Sequence, residues 1–376
     1  MSERYFPERY FPERYFPGEK EIQETPSLLT RSLPTGGMTR RRFIKMVLLG
    51  GGIYVVRAKL LKELKKLLPE EVFQEEVKRT EVVTFTERLP IPWMPKTVLR
   101  WSSEIKKVAE EYQVDPNLVA VMVLCESGGA FSAVSGSGAI GLMQVMQYNA
   151  PHENLFDPET NIRAGVGYLV RQYQEFGSWE NAILAYNAGP GNVRRGTIPP
   201  EGKSYLRWVM GMWEETNLRE SATYQKWVKA GGSGLLKNAA QVFGNETRLR
   251  AIEFATQQWG KPYLWGGEGP DSWDCSGLVC AAYRQAGIEI PRTANEQWQS
   301  AGRLLPPEES HLPGDLVFFG ERGKADHVGM IVWSPYGTFF EANGQEGCVR
   351  VSSLDSRSQI YRGDLAQSVL GFKRMV

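Results

Sequence analysis

Four side chains in this 376-residue sequence are of a type and placement that could break covalent bonds: Glu126, Cys275, His327 and Glu341. Glu126 closes the run Leu118 to Cys125, which is apolar all round and so predicts a helix buried in the centre of a domain. A carboxyl that such a helix carries into a partly desolvated cleft has its pKa raised, and it then holds the proton that a general acid needs. Cys275 follows Asp274, which reads as an N-cap, and precedes Leu278, Val279, Ala282, Tyr283 and Ala286, the buried stripe of a second helix. At that N-terminus the backbone N–H groups and the helix dipole favour the thiolate. His327 and Glu341 fall in separate β-rich runs. Pairing of neighbouring strands is expected to make both face the helix of Cys275, giving a Cys-His-carboxylate triad.

The elements that must position these groups are readable in outline. Val98, Trp101, Ile105, Val108, Ala109 and Tyr112 recur at helical intervals, and Asp115-Pro116 supplies the cap and first turn of the buried helix. Asp315–Phe319, His327–Trp333, Thr338–Ala342 and Cys348–Val351 read as strands of one antiparallel sheet. Prolines at 90, 92 and 95 mark a linker over 59–95, and the glycine-rich run Ala230 to Gly234 predicts a flexible linker over 229–245. Two domains follow, 96–228 and 246–376.

Composition is that of ordinary globular chains, 42% hydrophobic and 23% charged, which argues against a disordered or multi-span membrane protein. The net charge of +1 gives no reason to expect nucleic acid as a partner. Four cysteines and three histidines lack finger-like spacing, so neither a metal nor another cofactor is expected. The charge is uneven, with nine basic residues and one acidic between Met38 and Lys66. Here Thr39-Arg40-Arg41-Arg42-Phe43-Ile44-Lys45 precedes an apolar run too short to span a bilayer, and the stretch resembles twin-arginine export signals. Residues 1–58 are therefore expected to be a tail and signal, cleaved near Ala58 or retained as a membrane anchor. The three Glu-Arg-Tyr-Phe-Pro copies from Glu3 to Pro17 read as an extended tail, and Met38 reads as an alternative start that would give a signal of normal length.

Three ordered motifs surround Glu126: Glu126-Ser127-Gly128-Gly129, Gly141-Leu142-Met143-Gln144 and Ala185-Tyr186-Asn187-Ala188-Gly189. Together with Phe156-Asp157-Pro158, Asn161 and Glu201 four residues before Tyr205, they resemble the lysozyme-like lytic transglycosylases of peptidoglycan. The resemblance implies that Glu126 is the acid and then the base. It also implies that Gln144, Tyr186, Asn187 and Tyr205 line the glycan groove, while Ser127 either orients Glu126 or caps the turn. Around Cys275, Pro262-Tyr263-Leu264-Trp265-Gly266-Gly267, Asp274-Cys275-Ser276-Gly277-Leu278, Pro313-Gly314-Asp315-Leu316-Val317-Phe318-Phe319 and His327-Val328-Gly329-Met330-Ile331-Val332 resemble the NlpC/P60 cell-wall endopeptidases. That family places the nucleophile at Cys275 and the base at His327. Glu341 stands where the third group is commonly His. The resemblance also implies that Tyr263 lies near the oxyanion site, and that Asp274 and Ser276 are placed to bind a free amino end of a stem peptide, with capping of the helix as the alternative.

The fold class expected is thus multidomain, an α-helical lysozyme-like domain followed by an α+β papain-like NlpC/P60 domain. The implied activity is cleavage of peptidoglycan in both glycan and stem peptide by one exported, bifunctional enzyme. Alternatives are a wall-binding or assembly module with one degenerate site, and a local wall-opening component of a conjugation or phage machine.

Overall fold

The computed structural model describes residues 89–333 and 337–376. The repeat tail, the signal-like stretch, the alternative start and most of the first linker lie outside the described residues. No helix among the described residues is long and apolar enough to cross a membrane.

The first domain is built around the helix Pro116–Ser127, all of whose residues are buried. Asp115 opens it: one carboxylate oxygen accepts from Asn117 N at 2.9 Å, the other from Trp213 Nε1 at 3.0 Å. The helices Ser102–Tyr112 and Pro200–Glu214 pack against it, and Pro158–Phe176 and Trp179–Ala188 pack in turn against those two. Between Ser127 and Pro158 the chain runs through a short antiparallel pair, β1 (Ala139–Ile140) and β2 (Val145–Met146).

Two expected boundaries differ. Ile91 and Met94 are buried, and Trp93 donates to the carbonyl of Glu215 at 3.0 Å, so the first domain begins before Lys96. The run expected as a flexible linker, 229–245, is ordered and carries the helix Ser233–Phe243, with Leu235, Ala239 and Val242 buried on one stripe. Gly232 serves close approach there instead of flexibility, since a Cβ at that position would stand 2.4 Å from the Trp227 ring. The same helix meets the end of the central one. Gly128 has φ +63°, and a Cβ on it would lie 2.9 Å from the carbonyl oxygen of Leu235.

The second domain packs the helix Cys275–Gln285 against a six-stranded sheet of order β3-β8-β4-β5-β6-β7. Its strands are β3 (Arg303–Leu304), β4 (Leu316–Glu321), β5 (Lys324–Trp333), β6 (Thr338–Asn343), β7 (Cys348–Ser353) and β8 (Val369–Arg374). All neighbours are antiparallel. β3 and β8 had no counterpart in the sequence reading. Leu316, Phe318, Val328, Met330, Phe340 and Ala342 share a core with the helix, while Val317, Phe319, Ile331 and Phe339 form a separate cluster.

The two domains share one apolar core. Phe156 of the first meets Phe340 of β6 edge to face, with ring centroids 5.2 Å apart. Polar contacts flank this pair: Ser132 Oγ donates to the carbonyl of Val332 at 3.0 Å, and Asn154 Nδ2 to that of Thr256 at 3.1 Å. Truncating a fully buried phenylalanine costs about 3–5 kcal/mol. Phe156→Ala is therefore expected to split a single calorimetric unfolding transition into two, with the lower midpoint well below that of the unaltered protein.

Candidate active sites

Glu126 is the penultimate residue of the central helix and is 6% exposed. Burial pushes its carboxyl up to about 8, against the opposing effect of a hydrogen bond from Tyr205 Oη to Oε1 at 2.5 Å. Tyr205 comes from the helix Pro200–Glu214, so this bond joins two helices far apart in sequence. No cation offsets the burial, and that is why the proton is retained at neutral pH. The groups that act on Glu126 include no second carboxylate among the described residues.

The motif residues around Glu126 form its frame. Tyr186 lies close enough for Glu126 to act on it electrostatically, and its hydroxyl donates to the carbonyl of Met143 at 2.7 Å. Gln144 holds a left-handed φ of 48°, and its Nε2 donates to the carbonyls of Gly141 and Ala133 at 2.9 and 3.2 Å. Asn161 staples the loop. It accepts from Met143 N and donates to the carbonyls of Ile140 and Leu155, each at 2.8 Å. Asn187 is half-buried on the helix Trp179–Ala188. Ser127 is fully buried, and its hydroxyl bonds the carbonyls of Leu142 and Val123 and accepts from Gly129 N, so it ties the helix end to the loop and does not orient Glu126.

In the second domain Asp274 caps the helix that begins with Cys275. His327 on β5 is hydrogen-bonded to Cys275, and its Nε2 stands 2.5 Å from Glu341 Oε2 on β6. His327 and Glu341 alternate with the helix-packed residues Val328, Met330, Phe340 and Ala342, so the triad forms where the helix starts and not beneath it.

Burial works to lower the pKa of His327, but its hydrogen bonds and charge interactions with Cys275 and Glu341 outweigh burial and raise it to about 10. The ring thus keeps its proton at neutral pH, the partner that a thiolate requires. Burial would raise Glu341, yet His327, Ser352 and Arg362 together bring it below the ordinary carboxylate value. Its Oε1 accepts from Ser352 Oγ at 2.5 Å, Arg362 Nη1 at 2.9 Å and Asn343 Nδ2 at 3.2 Å. Tyr263 is half-buried near Cys275, and its backbone N–H donates to the carbonyl of Gly347.

Asp274 and Ser276 are already engaged. Asp274 accepts from Gly277 N, Gly266 N and both terminal nitrogens of Arg292, while Ser276 Oγ bonds both Asp274 and Arg292. That arrangement matches capping. Arg292 is the residue that sequence reasoning missed here, and its closeness in sequence to Pro291 and Thr293 gave no sign of a partner 18 positions back. No group of three or more His, Cys, Asp or Glu side chains suited to a metal occurs among the described residues.

The profile of the transglycosylase SLT domain matches residues 103–199, and that of the NlpC/P60 family matches 260–365. The chain belongs to the two-domain cell-wall hydrolases in which an SLT domain precedes an NlpC/P60 domain. It is 30% identical over 279 residues to the bifunctional muramidase/DL-endopeptidase CwlT of Bacillus subtilis, covering 69% of this chain and 79% of that protein. The murein DD-endopeptidase MepH of Escherichia coli is 43% identical over 134 residues, 34% of this chain and 48% of its own length. Among solved structures, the P60 domain of a Mycobacterium avium subspecies paratuberculosis antigen is 30% identical and covers 36% of this chain and 98% of its own, with a TM-score of 0.30. The chain is therefore a bifunctional enzyme of peptidoglycan, with one domain for glycan and one for peptide bonds.

Because Glu126 must be protonated to act as an acid, glycan cleavage is expected to fall as pH rises through about 8. The Tyr205 hydrogen bond favours the carboxylate, so Tyr205→Phe should move that alkaline limb upward, by about one unit, in a pH–rate profile on purified sacculi.

Proposed function

We propose that the first domain, ending near Val228, is a lytic transglycosylase acting between N-acetylmuramic acid and N-acetylglucosamine. Glu126 gives its proton to the glycosidic oxygen as the C1–O bond breaks. The carboxylate then takes the proton of the muramoyl C6 hydroxyl, whose oxygen closes on C1 to give a 1,6-anhydro sugar. The observation that supports this reading is a buried Glu126 that keeps its proton, with no second carboxylate among the described groups that act on it, since glycoside hydrolysis ordinarily uses two. Intramolecular attack has a high effective molarity and substitutes for the missing partner. Gln144, Tyr186, Asn187 and Tyr205 would shape the groove.

We further propose that residues 246–376 cleave the γ-D-glutamyl bond to the diamino acid of the stem peptide. The Cys275 thiolate adds to the carbonyl carbon, protonated His327 gives its proton to the leaving amine, and water releases the acyl group from sulfur while His327 acts as base. Glu341 holds the imidazole, and Tyr263 stands by the developing oxyanion. The likeness to MepH favours a second reading of the same site, cleavage of the cross-link between stem peptides. Action on the wall places both domains outside the cytoplasm, by way of the twin-arginine-like segment as a cleaved signal or a retained anchor.

Mass spectrometry of muropeptides from purified sacculi tests all of this at once. Glu126→Gln is expected to lower anhydro-muropeptide release by roughly 10²- to 10⁴-fold and leave peptide products unchanged. Cys275→Ala should do the reverse. Reduced, non-anhydro sugar ends from the unaltered enzyme would refute the lyase reading, and the masses of the cut stems decide between the two peptide bonds.

A further inference from the structure

The third member of the triad is a carboxylate with a side chain 0% exposed, and one imidazole can fix only one of its two oxygens. His327 takes Oε2. Arg362 reaches Oε1 at 2.9 Å, 21 residues away in sequence, with its own side chain 14% exposed. Asp364 sets the guanidinium in place, since its two oxygens accept from Arg362 Nε and Nη2 at 2.9 and 2.8 Å. A fork held on one edge by Asp364 presents its remaining N–H to Glu341 in a fixed direction. A buried carboxylate with no counter-charge would be neutral or would swing, and in either state it would hold the imidazole poorly.

Arg362 is delivered by a strap, residues 354–362, that leaves the end of β7 and returns to it. Ser353 N donates to the carbonyl of Ile360 at 2.9 Å, and Arg362 N to that of Ser353 at 3.0 Å. Midway, Gln359 N donates to the carbonyl of Gly136 at 3.2 Å. Gly136 belongs to the glycan-cleaving domain, in the loop that leads to Gln144. Ile360 packs beside Gly138 of the same loop and against the shared core.

We propose that Arg362 is a positioning residue of the peptidase reaction, and that the glycan-cleaving domain helps to hold the strap that carries it. The proposal rests on the reading of Cys275, His327 and Glu341 as the peptidase triad. The groups facing Glu341 are His327 from β5, Asn343 on its own strand, Ser352 from β7 and Arg362 from the strap, with Arg350 opposite it in the strand register. Asp364 and Glu346 act on Arg362, and Glu346 also pairs with Arg350. Removing Arg362 takes away a cation that keeps Glu341 ionised, so the acid limb of peptide cleavage moves to higher pH.

The experiment uses the full chain on purified sacculi, with both products read from each sample. Arg362→Ala is expected to lower kcat for peptide release roughly tenfold at neutral pH and to shift the acid limb upward by about one unit, with KM and anhydro-sugar release unchanged. Arg362→Lys should restore most of the limb. Gln359→Pro, which deletes the N–H given to Gly136, should shift the same limb in the same direction. A loss that is uniform across pH and accompanied by loss of glycan cleavage would make Arg362 merely structural, and an unchanged profile would overturn its role altogether. An unmoved limb in Gln359→Pro would overturn the part given to the first domain. Peptide release that persists in Cys275→Ala would instead sink the triad reading itself, so the two failures are distinct.

Discussion

Everything at the two sites follows from how a buried glutamate is treated. Water stabilises a carboxylate strongly, and removing it forces a choice between keeping the proton and finding cations. Glu126 is buried with a tyrosine hydroxyl and no cation, so it keeps the proton. Glu341 is buried with an imidazole, a guanidinium, an amide and a hydroxyl around it, so it stays charged. One residue type is thus protonated in one domain and ionised in the other. The difference lies in the neighbours and not in the depth of burial.

The chemistry was more legible in the sequence than its supports. Glu126 and Cys275 sit at helix ends whose apolar patterns are local, so each could be placed from its own dozen residues. His327 and the four consecutive strands β4 to β7 were readable from short β-rich runs. Arg362 was not, because it lies in a polar stretch among Arg357, Asp355 and Asp364, and its partner is on another strand. Ser127 and Asp274, each left open between a role at the site and a cap, show the opposite case. Each adjoins a catalytic side chain and carries a suitable oxygen, yet backbone donors and acceptors, or Arg292, use that oxygen. Both stand at helix ends, where orphan backbone groups compete for such side chains first.

Glycine misled the reading for a related reason. Gly231, Gly232 and Gly234 look like a hinge in a list of residues, but Trp227 closes on Gly232 in space. A missing side chain permits either mobility or contact, and only the neighbouring ring decides. The strand β8 was missed because it carries no buried apolar stripe: only Lys373 of its six residues is buried, and it is polar.

The edge-to-face pair of Phe156 and Phe340 joins the two cores directly, with Phe340 next in sequence to Glu341. Two cutters on a tether would each find bonds independently. Two cutters cast on one block behave as a gauge: the distance along the wall between a broken strand and a broken stem peptide is written into the packing that joins the two cores.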